Sequence, residues 1–185
     1  MAQKLKKEII LGVTASIAIY KSCEILRRLK EEGFSVTVVM TQEAEELIRP
    51  IVFSSLSGNK VYCGLFDTAV DYEIEHISLA DKVDLLLIAP ATANIIAKIA
   101  GGICDDLLSC VICATKAPVV IAPAMNENMY LNKITQGNIE KLKNLEYKIV
   151  GPARGKLANG KIGLGHLAST EDIIKAVKKS LKMAA

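Results

Sequence analysis

The sequence predicts an α/β fold: a doubly wound parallel sheet with helices on both faces, in a single domain over residues 1–185. Three observations carry this prediction. Apolar runs of strand length alternate with longer segments of helical period along the 185-residue chain. Two of those runs, DLLLIA (84–89) and PVVIA (118–122), lack polar alternation, so both of their faces must be covered. No linker, low-complexity tract or second domain interrupts the rhythm.

The elements follow in order. EIILGVT (8–14) reads as a buried strand. Residues 17–32 read as a helix, with Ile17, Ile25, Leu26 and Leu29 on one face and Glu31-Glu32-Gly33 as its stop. SVTVVM (35–40) is a second strand, and 43–48 and 51–56 are short helices broken at Pro50. After DLLLIA, residues 91–100 and 106–114 read as helices. After PVVIA come a helix over 134–145, a last strand YKIV (147–150) and a closing helix over 170–183. The glycine-rich stretch RGKLANGKIGLGHLAS (154–169) lies beyond that last strand, too late in the chain for the usual phosphate loop.

Composition narrows the class. Hydrophobic residues make up 51% and charged residues 23%, enough to build a core. Lys+Arg 23 against Asp+Glu 20 leaves a net charge of +3, too mild to argue for nucleic acid. No apolar run approaches the roughly 20 residues of a membrane helix. IILGV (9–13) is too short for a signal-peptide core, so a soluble cytoplasmic protein is expected. The five cysteines, Cys23, Cys63, Cys104, Cys110 and Cys113, are odd in number. Cys110-Val-Ile-Cys113 falls inside an apolar helical run with no second pair, so all five read as buried structural thiols and no metal site is expected.

In such sheets ligands bind beyond the carboxyl ends of the strands. After the first strand, VTASIAIYK lacks G-x-G-x-x-G but offers Thr14 and Ser16 at a helix start, where hydroxyls and backbone N–H groups hold phosphate. Ser16 is equally an ordinary N-cap. After the second strand stands Thr41, where dinucleotide enzymes place an acid, so a mononucleotide fits better. IAPATAN (88–94) is echoed by IAPAMNE (121–127), which brings the neutral groups of Thr92, Asn94 and Asn126 to one crevice, unless these too are only caps. His76, ahead of ISLADKVD, reads on spacing alone as a surface residue or cap; its ordinary pKa of about 6.5 also suits a proton acceptor.

Together these pieces resemble the flavin-dependent cysteine decarboxylases, and most closely the phosphopantothenoylcysteine decarboxylases of coenzyme A biosynthesis. The matching stretches are GVTASIAIYK, EHISLADKVDLLLIAPATANIIAKIAGGICDDLLS, PAMNENMY and GKLANGKIGLGH, in family order over most of the chain. The second and third are specific; the Ser16 loop alone is not. The resemblance implies a Rossmann-like flavoprotein fold in trimers or dodecamers, with FMN as cofactor, often at a subunit interface. It implies FMN contacts from Ala15, Ser16, Ile17, Thr41, Thr92, Ala93, Asn94 and Ala124. It makes His76 the family's essential histidine and Asn126 the holder of the substrate carboxylate, with Met129 in the same motif. The segment Ala158-Asn159-Gly160 becomes a flexible clamp over the substrate. The implied reaction takes phosphopantothenoylcysteine to phosphopantetheine, with a fused or separate synthetase as partner.

The clamp departs from the family pattern. It usually reads Ala-Cys-Gly, the cysteine donating a proton in the last step; here Asn159 holds that position. The family's arginine is His166. Three readings stay open: a substitution that traps the enethiol, another donor such as water or His166, or an enzyme that stops at oxidative decarboxylation. The alternatives in function are an oxidative decarboxylase of a peptide's C-terminal cysteine, a non-catalytic flavin-binding regulatory subunit, and the prenyl-transferring relatives.

Overall fold

Period-two burial builds the sheet. In β1 (Glu8–Val13), Ile9, Leu11 and Val13 enter one core and Ile10 enters the other. β2 (Ser35–Met40), β4 (Leu85–Ala91) and β5 (Val119–Pro123) divide their side chains in the same way. With the short edge strands β3 (Val61–Tyr62) and β6 (Lys148–Ile149), they form a parallel six-stranded sheet of order β3-β2-β1-β4-β5-β6. The chain reverses direction of travel across the sheet between β1 and β4, which opens a crevice at their carboxyl ends. The computed structural model describes residues 6–65, 75–156, 160 and 162–182.

One face of the sheet is covered by α1 (Tyr20–Glu31), α3 (Pro50–Ser57) and α9 (Thr170–Ser180), through Ile25, Leu26, Leu29, Phe53, Ile173 and Val177. The other is covered by α4 (Glu75–Lys82), α5 (Ala93–Gly101), α6 (Leu107–Ala114) and α8 (Lys133–Asn144), through Ala80, Ile96, Leu108, Ile112 and Leu142. Gly12 lets α6 come close: a Cβ there would lie 2.7 Å from Leu108 Cδ1. The short helices α2 (Gln42–Glu45) and α7 (Glu127–Leu131) follow β2 and β5 directly.

The expected α/β sheet is present, and local differences have local causes. The helix expected over 17–32 opens as a 3-10 turn, Ile17–Ile19, because Ser16 caps Ala18 N–H at 3.3 Å and tightens the entry. Pro50 does not break a helix. It starts α3 at the first position, where no N–H is needed, and Gly58 ends that helix at φ 75°. The glycine-rich segment is not a loop throughout. It holds an antiparallel hairpin of β7 (Ala153–Lys156) and β8 (Ile162–His166) outside the main sheet. Among the described residues no helix is long and apolar enough to cross a membrane.

The thiols need a correction. Cys104 and Cys113 are exposed, and Cys23, Cys63 and Cys110 are half-buried, so none is a fully buried core residue. The C-x-x-C pair does lie on α6, with Cys110 half-buried and Cys113 exposed. Partial desolvation of the sulfur and a hydrogen bond with the neighbouring Cys104 push the Cys113 thiol up to about 11.

The start of α6 is held by a capping box: Ser109 N–H donates to Asp106 Oδ1 at 2.7 Å, and Asp106 N–H donates to Ser109 Oγ at 3.1 Å. Lys98 Nζ donates to Asp106 Oδ2 and reaches Asp105, both at 2.7 Å. Burial alone would raise the Asp106 carboxyl, but the bonds from Lys98 and Ser109 outweigh it and hold the group below its ordinary value. A lowered folded pKa contributes stability above the unfolded pKa and loses it as pH falls through the folded one. Asp106→Ala is expected to cost about 1–2 kcal/mol in urea unfolding at neutral pH. The stability gap between the parent and Asp106→Asn should close as pH drops below the ordinary carboxylate range. A gap unchanged down that range would disprove the charge contribution.

Candidate functional site at the strand ends

Three strand ends and the hairpin enclose a cavity of about 590 Å³. The residues after β1 supply Ala15, Ser16, Ile17, Ala18, Tyr20 and Lys21; those after β4 supply Thr92. Those after β5 supply Ala124, Met125, Asn126 and Met129, and the glycine-rich segment supplies Gly160, Gly165, His166 and Leu167. The size lies within the roughly 300–1,000 Å³ usual for small-molecule and cofactor sites.

Capping bonds orient the polar groups. Ser16 Oγ accepts from Ala18 N–H, and Thr92 Oγ1 accepts from Ile95 N–H at 3.3 Å. Each hydroxyl so engaged keeps its own proton to donate. Asn126 Oδ1 accepts from Asn128 N–H at 2.9 Å, which identifies the amide oxygen and assigns the NH₂ group to the donor role. Thr14 is different. It is 2% exposed, donates to the Pro90 carbonyl at 2.7 Å and accepts from Thr92 N–H at 3.1 Å. Its hydroxyl stitches the ends of β1 and β4 together and is spent on that.

A cation crosses the cavity. Lys21, on the first turn of α1, brings Nζ to 3.4 Å from His166 Nε2 on β8. His166 Nδ1 lies 2.9 Å from the Leu167 carbonyl, which only accepts. Nδ1 therefore carries the proton and Nε2 faces the ammonium as acceptor. Among the described residues no carboxylate lines the cavity. Hydroxyl and amide donors, the Lys21 ammonium and helix starts make a site for anionic and neutral polar groups.

Of the residues expected from sequence, Ala15, Ser16, Ile17, Thr92, Ala124, Asn126, Met129 and Gly160 line this cavity. Thr41 is buried at the end of β2, its N–H donating to Val13 C=O at 3.1 Å, outside the lining. Ala93 and Asn94 form the first turn of α5, next to Thr92 but not in the lining, and Asn94 is exposed. His76 is half-buried at the start of α4, also outside the lining. Ala158 and Asn159 lie outside the described residues. Ala18, Tyr20, Lys21, Met125 and Leu167 also line it and were not singled out from sequence. Lys21 carried the one usable signal, a charge in the first turn after a candidate phosphate loop.

Comparison with known proteins agrees with this geometry. A family model described as Flavoprotein matches residues 1–182. The coenzyme A biosynthesis bifunctional protein CoaBC of Vibrio cholerae is 45% identical over 168 residues, 91% of this chain. The CoaBC protein of Bacillus subtilis is 40% identical over 173 residues, 94% of this chain. The chain spans 42% and 43% of the length of those two relatives. Among solved structures, a cysteine-to-serine mutant of PPC decarboxylase complexed with pantothenoylaminoethenethiol superposes with a TM-score of 0.84 at 28% identity, covering 96% of this chain and 100% of that one. The FMN binding protein AtHal3 superposes with a TM-score of 0.80 at 29% identity, covering 98% of this chain and 100% of that one.

Proposed function

We propose that this chain, which belongs to the flavoprotein family, binds FMN at the strand ends and decarboxylates phosphopantothenoylcysteine. One observation carries the proposal: a single cavity joins the Ser16 helix start to the Asn126 amide donor, with no carboxylate among the described residues of its lining. That donor set fits both a phosphate-bearing cofactor and a carboxylate substrate. The whole chain, 1–185, acts as one FMN-binding cysteine decarboxylase domain. Its surroundings are taken to be cytoplasmic. A phosphopantothenoylcysteine synthetase, joined or separate, supplies its substrate, in keeping with the bifunctional relatives.

The backbone and hydroxyls at Ala15, Ser16, Ile17, Thr92 and Ala124 would hold FMN, with Thr41, Ala93 and Asn94 at the neighbouring strand ends. Bound FMN supplies a two-electron oxidation of the substrate's cysteinyl thiol, which turns that group into an electron sink beta to the carboxylate. The protein's part is orientation and exclusion of water. Asn126 NH₂ donates to the substrate carboxylate without a full charge, which holds the group yet does not over-stabilise it against loss of carbon dioxide. Met129 and Gly160, which line the same cavity, would serve the substrate with it, and Ala158 and Asn159 would belong to the clamp. His76 accepts the thiol proton. Because His76 stands outside the lining in its own chain, a homo-oligomer, trimer or dodecamer, would bring it from a neighbouring copy.

Asn159 favours a second reading, oxidative decarboxylation of a peptide's C-terminal cysteine, since that reaction needs no clamp acid. A purified chain that stays colourless after incubation with FMN sinks the flavoprotein function for either substrate. Mass spectrometry then separates the two: turnover of a C-terminal-cysteine peptide, with none of phosphopantothenoylcysteine, selects the peptide enzyme. FMN uptake with neither substrate consumed selects the non-catalytic subunit.

A further inference from the structure

We infer that Glu127 is a positioning residue that clamps β8 against the turn carrying Asn126. The inference rests on the proposed substrate role of Asn126. Glu127 Oε1 accepts from Leu164 N–H at 2.8 Å, across 37 residues of sequence. Met125 N–H donates to the Gly165 carbonyl at 3.0 Å. Asn126 therefore sits between two tethered neighbours, each bonded to β8.

The approach is as close as backbone allows. Gly165 has φ +135°, and a Cβ there would run into the Met125 carbonyl oxygen. β7 pairs with β8 along its other edge, with a register shift between Ala153 and Arg154 beside the His166 partner. Among the described residues nothing in the six-stranded sheet pairs with the hairpin. Its alignment on the cavity thus depends on side-chain and loop bonds, and Glu127–Leu164 is one of them. Glu127 does not line the cavity. It acts through the neighbours it holds: Asn126 beside it, and Gly165 and His166 one and two residues beyond Leu164.

The role requires an oxygen acceptor at that position, not a charge. Glu127→Gln keeps the oxygen, and Glu127→Ala removes it. Both variants are compared with the parent after FMN loading, using phosphopantothenoylcysteine as substrate and dioxygen as electron acceptor. Bound FMN, read from its visible absorbance, is expected to match in all three. Glu127→Ala is expected to raise KM about tenfold with kcat within about twofold, the scale of one lost hydrogen bond. Glu127→Gln is expected to stay within about twofold of the parent on both constants. Amide exchange at Leu164 should be at least about tenfold faster in Glu127→Ala and near the parent rate in Glu127→Gln. An unchanged KM and Leu164 exchange rate in Glu127→Ala overturn the inference, as does a Gln variant as impaired as Ala. If the parent itself turns nothing over, the functional proposal fails, and the Leu164 exchange rate, which needs no substrate, decides the role of Glu127 alone.

Discussion

Asn159→Cys is expected to convert a reaction that stops at the enethiol into one that runs through to phosphopantetheine. The enethiol differs from phosphopantetheine by two hydrogens. Delivering them takes two electrons, which the FMN reduced in the first oxidation would return, and two protons, one of which must be placed on carbon, and carbon is protonated slowly without a positioned acid. A neutral amide such as Asn159 has no proton to give at a useful pKa. A thiol, with an ordinary pKa of about 8.5, does. General acids contribute about 10²–10⁴-fold, so the yield of phosphopantetheine per bound FMN should rise on the order of 10²-fold or more. The measurement is the product mass under anaerobic conditions. The parent should give substrate less carbon dioxide and two hydrogens; the variant should give substrate less carbon dioxide alone. A parent that already releases phosphopantetheine removes the whole account of Asn159. His166, which does line the cavity, is then the donor to test.

Asn126→Asp should abolish most turnover while leaving the fold intact. Asn126 has two roles that this one change separates. Its oxygen caps α7 by accepting from Asn128 N–H, and aspartate caps as well as asparagine. Its nitrogen is the proposed donor to the substrate carboxylate, and aspartate replaces that donor with a like charge. Like charges brought together cost several kcal/mol, so kcat/KM is expected to fall on the order of 10²–10³-fold. Unfolding free energy should change by less than about 0.5 kcal/mol. FMN content should not change, because the end of the cavity proposed to hold the cofactor is lined by Ala15–Ile17 and Thr92. A loss of turnover matched by a loss of stability would mean that Asn126 matters as a cap only.

Much of the site was legible in the sequence because parallel α/β sheets put ligands where strands end. Ser16, Thr92 and Asn126 were found by reading the residues after apolar runs, and each is also an N-cap in the structure. The cap and the ligand-binding reading are thus compatible, since a cap engages the oxygen and leaves a donor. Thr14 differs: its hydroxyl donates to Pro90 on β4 and accepts from Thr92 just beyond it, contacts that no local pattern announces. Lys21 and His166 stand 145 positions apart, so their meeting had no trace in spacing.

The sequence by itself determined the layers, a parallel sheet covered on both faces. Continuous apolar runs with nothing polar to face water demand cover on both sides, and strand-helix alternation with right-handed crossovers leaves few ways to supply it. Only the tertiary structure decided what the glycine-rich segment becomes. Glycine has weak strand preference, so RGKLANGKIGLGH carries little local signal for a hairpin. It forms one because Gly165 admits the Met125 carbonyl at a distance no side chain tolerates, and because Glu127 takes the Leu164 N–H. Those partners lie some forty residues upstream, and folding alone brings them within reach.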